Sequence, residues 1–186
     1  MKNKLADMMC LDIYLSSLTN KEHQQIKDQI GRPKWKPLLS WDIFTNDFQK
    51  RIAESKKRTE LRQVLSFAKK FNWKNNLNLT FSENDYKALI ITDKNQHIIW
   101  VNNGFSTMTG YSKTFALNKT PRFLQGAKTT VQTKNRFKNK IALDQPFKDV
   151  IINHRKDNST YKCEVKIYPL YNKKTTHYIA FEKEII

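Results

Sequence analysis

The chain has 186 residues, 39% hydrophobic and 12% aromatic, with only four glycines and five prolines; that supports one packed domain with an extension and excludes a wholly disordered or low-complexity chain. The formal charge is +17, but it is spread evenly. Residues 1–80 hold 16 Lys/Arg against 8 Asp/Glu, and residues 81–186 hold 18 against 9, so no basic tail marks a nucleic-acid or membrane anchor.

Residues 4–30 read as one or two short helices, with Leu5, Met8, Met9, Leu11, Ile13 and Leu15 on an apolar side. Two prolines make Gly31 to Pro37 a turn or extended link. Ser40 is a candidate helix cap, with Asp42 in the first turn where the helix dipole favours an anion. From there Trp41, Phe44, Phe48 and Ile52, then Leu61, Val64, Leu65 and Ala68, recur at three- and four-residue spacing. This pattern predicts a long amphipathic helix over about 42–71.

The texture changes from Leu79. Ala88-Leu-Ile-Ile-Thr-Asp93 and His97-Ile-Ile-Trp-Val101 predict a hairpin. A short helix follows through Phe105 and Met108 and ends at Gly110, and a second covers about 129–142 with Val131, Phe137 and Ile141 on one side. Three strands complete the chain, about 147–155, 160–170 and 175–185, with Asp157-Asn158 and Asn172-Lys173 at the turns. The order predicts an α+β fold, a five-stranded antiparallel sheet with helices on one face plus an N-terminal helical extension. The domains expected are 1–78 for the extension and 79–186 for the sheet domain.

Ile90-Ile-Thr-Asp-Lys-Asn-Gln-His-Ile-Ile-Trp-Val-Asn-Asn-Gly-Phe-Ser-Thr-Met-Thr-Gly-Tyr-Ser112 resembles the opening of PAS domains, a strand hairpin followed by an Asn-x-x-Phe…Thr-Gly-Tyr-Ser helix. Pro121-Arg-Phe-Leu-Gln-Gly126 resembles the Asn-Cys-Arg-Phe-Leu-Gln-Gly block of the flavin-binding LOV branch. The resemblance implies a pocket for FMN or another flavin. Arg122 and Lys138 would hold its phosphate, and Gln125, Asn153, Cys163 and Glu182 would line its ring. It departs from the family at several points. The photoreactive cysteine falls at Pro121, so no cysteinyl adduct can form there, and the preceding Asn is Thr120. Lys138 keeps the charge of a second arginine without its bidentate fork. Cys163 and Glu182 stand where the branch has Asn and Gln.

Between Asp93 and Asp144 there is no acidic residue, while Lys94, Lys113, Lys119, Arg122, Lys128, Lys134, Arg136, Lys138 and Lys140 all occur. That suits a phosphate-bearing ligand. It also suits a nucleic-acid backbone, the remote alternative, but no base-stacking platform accompanies it. Twenty-seven of the basic residues are lysine, beside 17 asparagines and 16 isoleucines, a joint excess that reads as A/T-rich coding bias.

Strand alternation puts Asn153, Cys163 and Glu182 on one sheet face with Ile151, Val165, Ile167, Tyr178 and Ala180. Val150, Ile152, Tyr168, Ile179 and Phe181 then form an apolar patch on the other face. The 42–71 helix, the 4–30 segment, a second protomer or a partner protein should cover it.

Cys10 and Cys163 lie in different hydrophobic patterns with no CxxC pair, so neither a disulfide scaffold nor a metal site is expected. Reduced thiols fit a cytoplasmic protein. The lysine-bearing start is broken by Asp7 and Asp12, a poor signal peptide, and no apolar run approaches a membrane span. With no nucleophile–base pair, Gly-rich phosphate loop or metal spacing, an enzyme is not expected. Two readings stand. One is a bacterial-type sensor binding flavin or another planar ligand without adduct chemistry. The other is a cofactor-free module for dimerisation or partner binding.

Overall fold

The computed structural model describes residues 17–26 and 39–185, with the side chains of His23 and residues 39–47 left aside. These residues fall into two compact units that part between Glu54 and Ser55. The expected apolar side of residues 5–15, the Gly31 to Pro37 link, Cys10 and the side chains of Trp41 and Phe44 lie outside what is described.

The first unit holds α1 (Asn20–Ile26) and the start of α2 (Leu39–Phe71). Thr19 donates its backbone N–H and its hydroxyl to the Glu22 carboxylate, at 3.0 and 2.7 Å. This pairing at the N-terminus of α1 holds the Glu22 carboxyl below its ordinary range. Ser40, expected as a cap, lies one residue inside α2.

The second unit is built on five antiparallel strands in the order β2-β1-β5-β4-β3. They are β1 (Ala88–Asp93), β2 (Ile98–Val101), β3 (Phe147–His154), β4 (Thr160–Tyr171) and β5 (Thr175–Ile185). β5 is central, pairing Ala88 with Glu182 on one side and Val165 with Glu182 on the other. Between the hairpin and β3 lie α4 (Asn103–Thr109), α5 (Lys113–Ala116), a 3-10 turn (Pro121–Leu124) and α6 (Val131–Ala142). They gather on the inner sheet face around Ile90, Ile98, Phe105, Met108, Leu124, Ile151 and Val165.

The outer face is covered as well, by the chain's own helix. Val64 of α2 is fully buried, and Leu61, Leu65, Phe67, Ala68 and Phe71 pack with it against Leu89, Ile91, Leu170, Ile179 and Phe181. α3 (Leu77–Glu83) adds Leu77 and Phe81, whose ring meets Phe181 edge-on at 5.2 Å. Each side chain so buried contributes about 1.5–3 kcal/mol. The α2–α3 link is laced to the sheet: Lys74 N–H donates to the Tyr171 carbonyl at 2.8 Å, and the Asn75 side chain bridges Pro169 and Tyr171. Residues 55–78, placed by the sequence in the extension, therefore pack with the sheet.

The cover is the first of the expected candidates, the 42–71 helix, and it takes up most of the face expected for a partner. Ile179 and Phe181 are 0% and 1% exposed, and Tyr168 is half-buried with its hydroxyl against Asn84. Only Val150 is exposed, with Ile152 half-buried beside it.

Candidate functional site

Asn102 sets the entry to the inner layer. Its side-chain oxygen accepts from Leu89 N–H and Phe105 N–H, both at 2.9 Å, so one residue caps α4 and anchors it to β1. Gly104 follows because nothing larger fits: a Cβ there would lie 1.6 Å from the Lys87 carbonyl oxygen. Gly110, at φ 76°, ends α4 in the left-handed conformation that favours glycine.

The 3-10 turn starts with proline at its first position, where the missing N–H costs nothing. Leu124 is buried from this turn and Gln125 follows it. Gly126 then passes so close to the His154 ring that a Cβ would come within 2.5 Å. Thr129 accepts from Gly126 N–H at 3.1 Å and donates to the Ile152 carbonyl at 2.6 Å, fixing the loop to β3.

α6 buries no residue. It is held at its rim, where Arg136 makes two bonds to Asp149, at 2.8 and 2.9 Å, and Lys140 a third at 2.8 Å. Partial burial works to raise the Asp149 carboxyl, but these cations hold it below its ordinary range. Phe137 packs on Phe147, and Tyr178 of β5 donates to Asp144 at 2.5 Å, just beyond the end of α6.

Between α6, the 3-10 turn and the inner sheet face lies a cavity of about 580 Å³, within the range of small-molecule sites. Ile90, Leu124, Ile151, Val165, Ile167 and Ala180 give it apolar walls. The structure brings five of the six sequence-nominated residues to this wall: Arg122, Gln125, Lys138, Asn153 and Glu182. Cys163 is fully buried beneath the floor, its Sγ 3.8 Å from the Glu182 carboxylate. Pro121 also lines the cavity.

Tyr178, expected on this sheet face, lines it too, and so do Thr92, Gln96, Lys134 and Asn135, which were not nominated as site residues from the sequence. Lys134 was findable, since it stands four residues before Lys138 on the same helix face. Thr92 was findable from alternation with Ile90.

Polar groups are sorted within the cavity. Arg122, Lys134 and Lys138 come from the helical side, and among the described residues none makes an ion pair. Glu182 is the one acidic residue of the lining, 5% exposed in mid-strand. Burial pushes its carboxyl up to about 7, only partly offset by the Cys163 thiol. The thiol is itself pushed well up, first by burial and then by Glu182, which makes it a poor nucleophile. Asn153 is 4% exposed, and the buried hydroxyl of nearby Tyr161 has no hydrogen-bond partner among the described residues. The cavity borders the Asn153 amide, which offers both a donor and an acceptor. A planar heterocycle with an anionic tail matches this lining.

Residues 87–185 match the family model for the PAS domain. The chain is 31% identical over 108 residues to a nitrogen fixation regulatory protein of Klebsiella oxytoca, covering 57% of this chain and 22% of that one. It is 32% identical over 102 residues to a blue-light photoreceptor of Listeria monocytogenes, covering 53% and 40%. Its structure is similar to the LOV domain of a blue-light-activated histidine kinase from Erythrobacter litoralis (TM-score 0.51, 26% identity, 55% of this chain and 98% of that one). The chain thus spans well under half the length of these two curated relatives. Fold, motif and cavity agree with the match over its whole extent, and the chain belongs to the PAS domain family.

Proposed function

We propose that this PAS/LOV-type sensory signalling module binds a flavin nucleotide non-covalently in the inner-face cavity and signals without a cysteinyl adduct. The observation that carries the reading is the sorting of the lining. Apolar walls suit a planar ring, the Asn153 amide and the Gln125 side chain offer it hydrogen bonds, and Arg122, Lys134 and Lys138 await a phosphate. When bound, a flavin supplies blue-light absorption and reversible redox chemistry. Pro121 offers no thiol at the wall, and Cys163 is buried beneath the floor with its thiol held protonated, which supports a response through occupancy or redox state. The similarity to a LOV domain and to a blue-light photoreceptor supports the same ligand class.

The reading is of a sensor rather than an enzyme. Its output would pass through α2, whose end rests on the outer sheet face. A partner protein or second protomer would find the remaining apolar spot at Val150 and Ile152. Among the described residues no helix is long and apolar enough to cross a membrane.

The visible absorption spectrum of the purified protein tests the ligand. A yellow protein that releases flavin on denaturation supports the reading, and a protein still colourless after soaking in excess FMN refutes it.

A further inference from the structure

Glu182 sits at the centre of the sheet, between Ala88 of β1 and Val165 of β4, and borders the cavity. Among the described residues its carboxylate receives one hydrogen bond, from a thiol at 3.8 Å, a weak donor. The ionisable groups around it offer no counter-charge. β4 presents Tyr161 and Cys163. On β5, Glu184 is tied to Arg155 at 2.6 Å and Tyr178 to Asp144. β1 and β3 contribute Ile90, Thr92, Ile151 and Asn153 to the lining, with no charge. The cations of the helical side, Arg122, Lys134 and Lys138, make no ion pair with it. A buried carboxyl without a cation keeps its proton, and a neutral acid is a hydrogen-bond donor.

We propose that Glu182 makes the cavity a protonation-gated site: the ligand enters with the Glu182 carboxyl neutral and donating a hydrogen bond to a ring acceptor, and leaves as the carboxyl ionises. The proton comes from solvent and returns to it. The ionised form has lost its donor and turns a carboxylate toward the same acceptor, and among the described residues no cation pairs with it. The identity of the ligand rests on the flavin reading; an oxidised flavin ring carries carbonyl and ring-nitrogen acceptors. Asn153 and Gln125 would hold the ligand at every pH, and Glu182 would set when it is held.

The test is FMN binding, followed by quenching of flavin fluorescence from pH 5.5 to 9, in the wild type and in Glu182→Gln. The variant keeps a donor of the same shape and cannot ionise. The wild-type Kd should rise about tenfold or more between pH 6 and pH 8.5, the tenfold-per-unit loss expected once a required proton is gone. The Glu182→Gln Kd should stay within about twofold, by the same linkage. Equal pH profiles in the two proteins would overturn the gate while leaving the flavin reading intact. If neither protein takes FMN at any pH, the flavin reading fails, and the gate is judged on the protein alone. A protonated-carboxyl infrared band, present in the wild type at pH 6, absent from Glu182→Gln and lost by pH 8.5, upholds it. A carboxylate already ionised at pH 6 overturns it.

Discussion

The side-chain amide of Asn102 donates to the Glu60 carboxylate at 2.9 Å, across 42 residues of sequence. Glu60 belongs to α2 on the outer sheet face, and Asn102 caps α4 on the inner one. Tyr86 donates to the other Glu60 oxygen, also at 2.9 Å. The bond ties α2 on the outer sheet face to the cap of α4 on the inner one.

Replacing Asn102 with Ala removes the α4 cap, the anchor to Leu89 N–H and the bond to Glu60 together. Loss of a cap and of buried hydrogen bonds should cost about 2–3 kcal/mol, read by urea denaturation. Glu60→Gln should cost about 1 kcal/mol, because a neutral amide still bonds, though more weakly. A loss below about 0.5 kcal/mol for Asn102→Ala would show that the junction is not structural.

Two glycines should respond differently to Ala. Gly110→Ala places a Cβ at φ 76°, 3.3 Å from the Lys156 Cβ, a close contact that a few tenths of an ångström relieves, and should cost about 1 kcal/mol. Gly104→Ala drives a Cβ to 1.6 Å from the Lys87 carbonyl oxygen, a backbone atom that moves only if β1 and α4 part. Its thermal midpoint should fall several times further, and equal losses would contradict the packing.

The Glu182 carboxyl goes from 4.5 to about 7 on folding. A raised folded pKa contributes stability that is full below the unfolded value and lost as pH rises through the folded one. Relative to Glu182→Gln, the ligand-free wild type should lose about 3 kcal/mol between pH 4.5 and pH 7, then level off. Thermal denaturation of the two proteins across that window reads the difference, and parallel curves would place the carboxyl in water.

Asp149 runs the other way. Its lowered carboxyl stabilises the docking of α6 above the unfolded pKa, and that contribution is lost as pH falls. Asp149→Asn at neutral pH should loosen α6, which has no buried residue to hold it. Amide exchange over residues 131–142 should quicken about tenfold, equivalent to about 1.4 kcal/mol, with β1 and β5 unchanged. Uniform exchange across the sheet would mean that the ion pairs support the whole unit.

The strands, the hairpin and the Gly110 stop were legible because alternation and turn chemistry act locally. The cover of the outer face was only half legible. Leu61, Val64, Leu65 and Ala68 announced an apolar stripe, and alternation along β3 to β5 announced an apolar patch on the outer face. Neither names its partner, and α3 went unseen because Leu77-Asn-Leu-Thr-Phe-Ser-Glu83 mixes weak helix formers that tertiary packing holds in place. Within the cavity, family motif and alternation together nominated Arg122, Gln125, Lys138, Asn153 and Glu182. Cys163 shares their strand face but is closed off by neighbours, a matter of side-chain packing that periodicity does not carry. The bond from Asn102 to Glu60 joins residues 42 apart, and no local pattern signals it.

The most direct measurement is titration of the ligand-free protein with FMN at pH 6, in the wild type, Arg122→Ala and Asn153→Ala. One-to-one saturation with a wild-type Kd of about 10 µM or tighter, weakened about tenfold by each variant, is the result this account predicts. A protein that shows no saturable FMN binding, or variants that bind as well as the wild type, would contradict it.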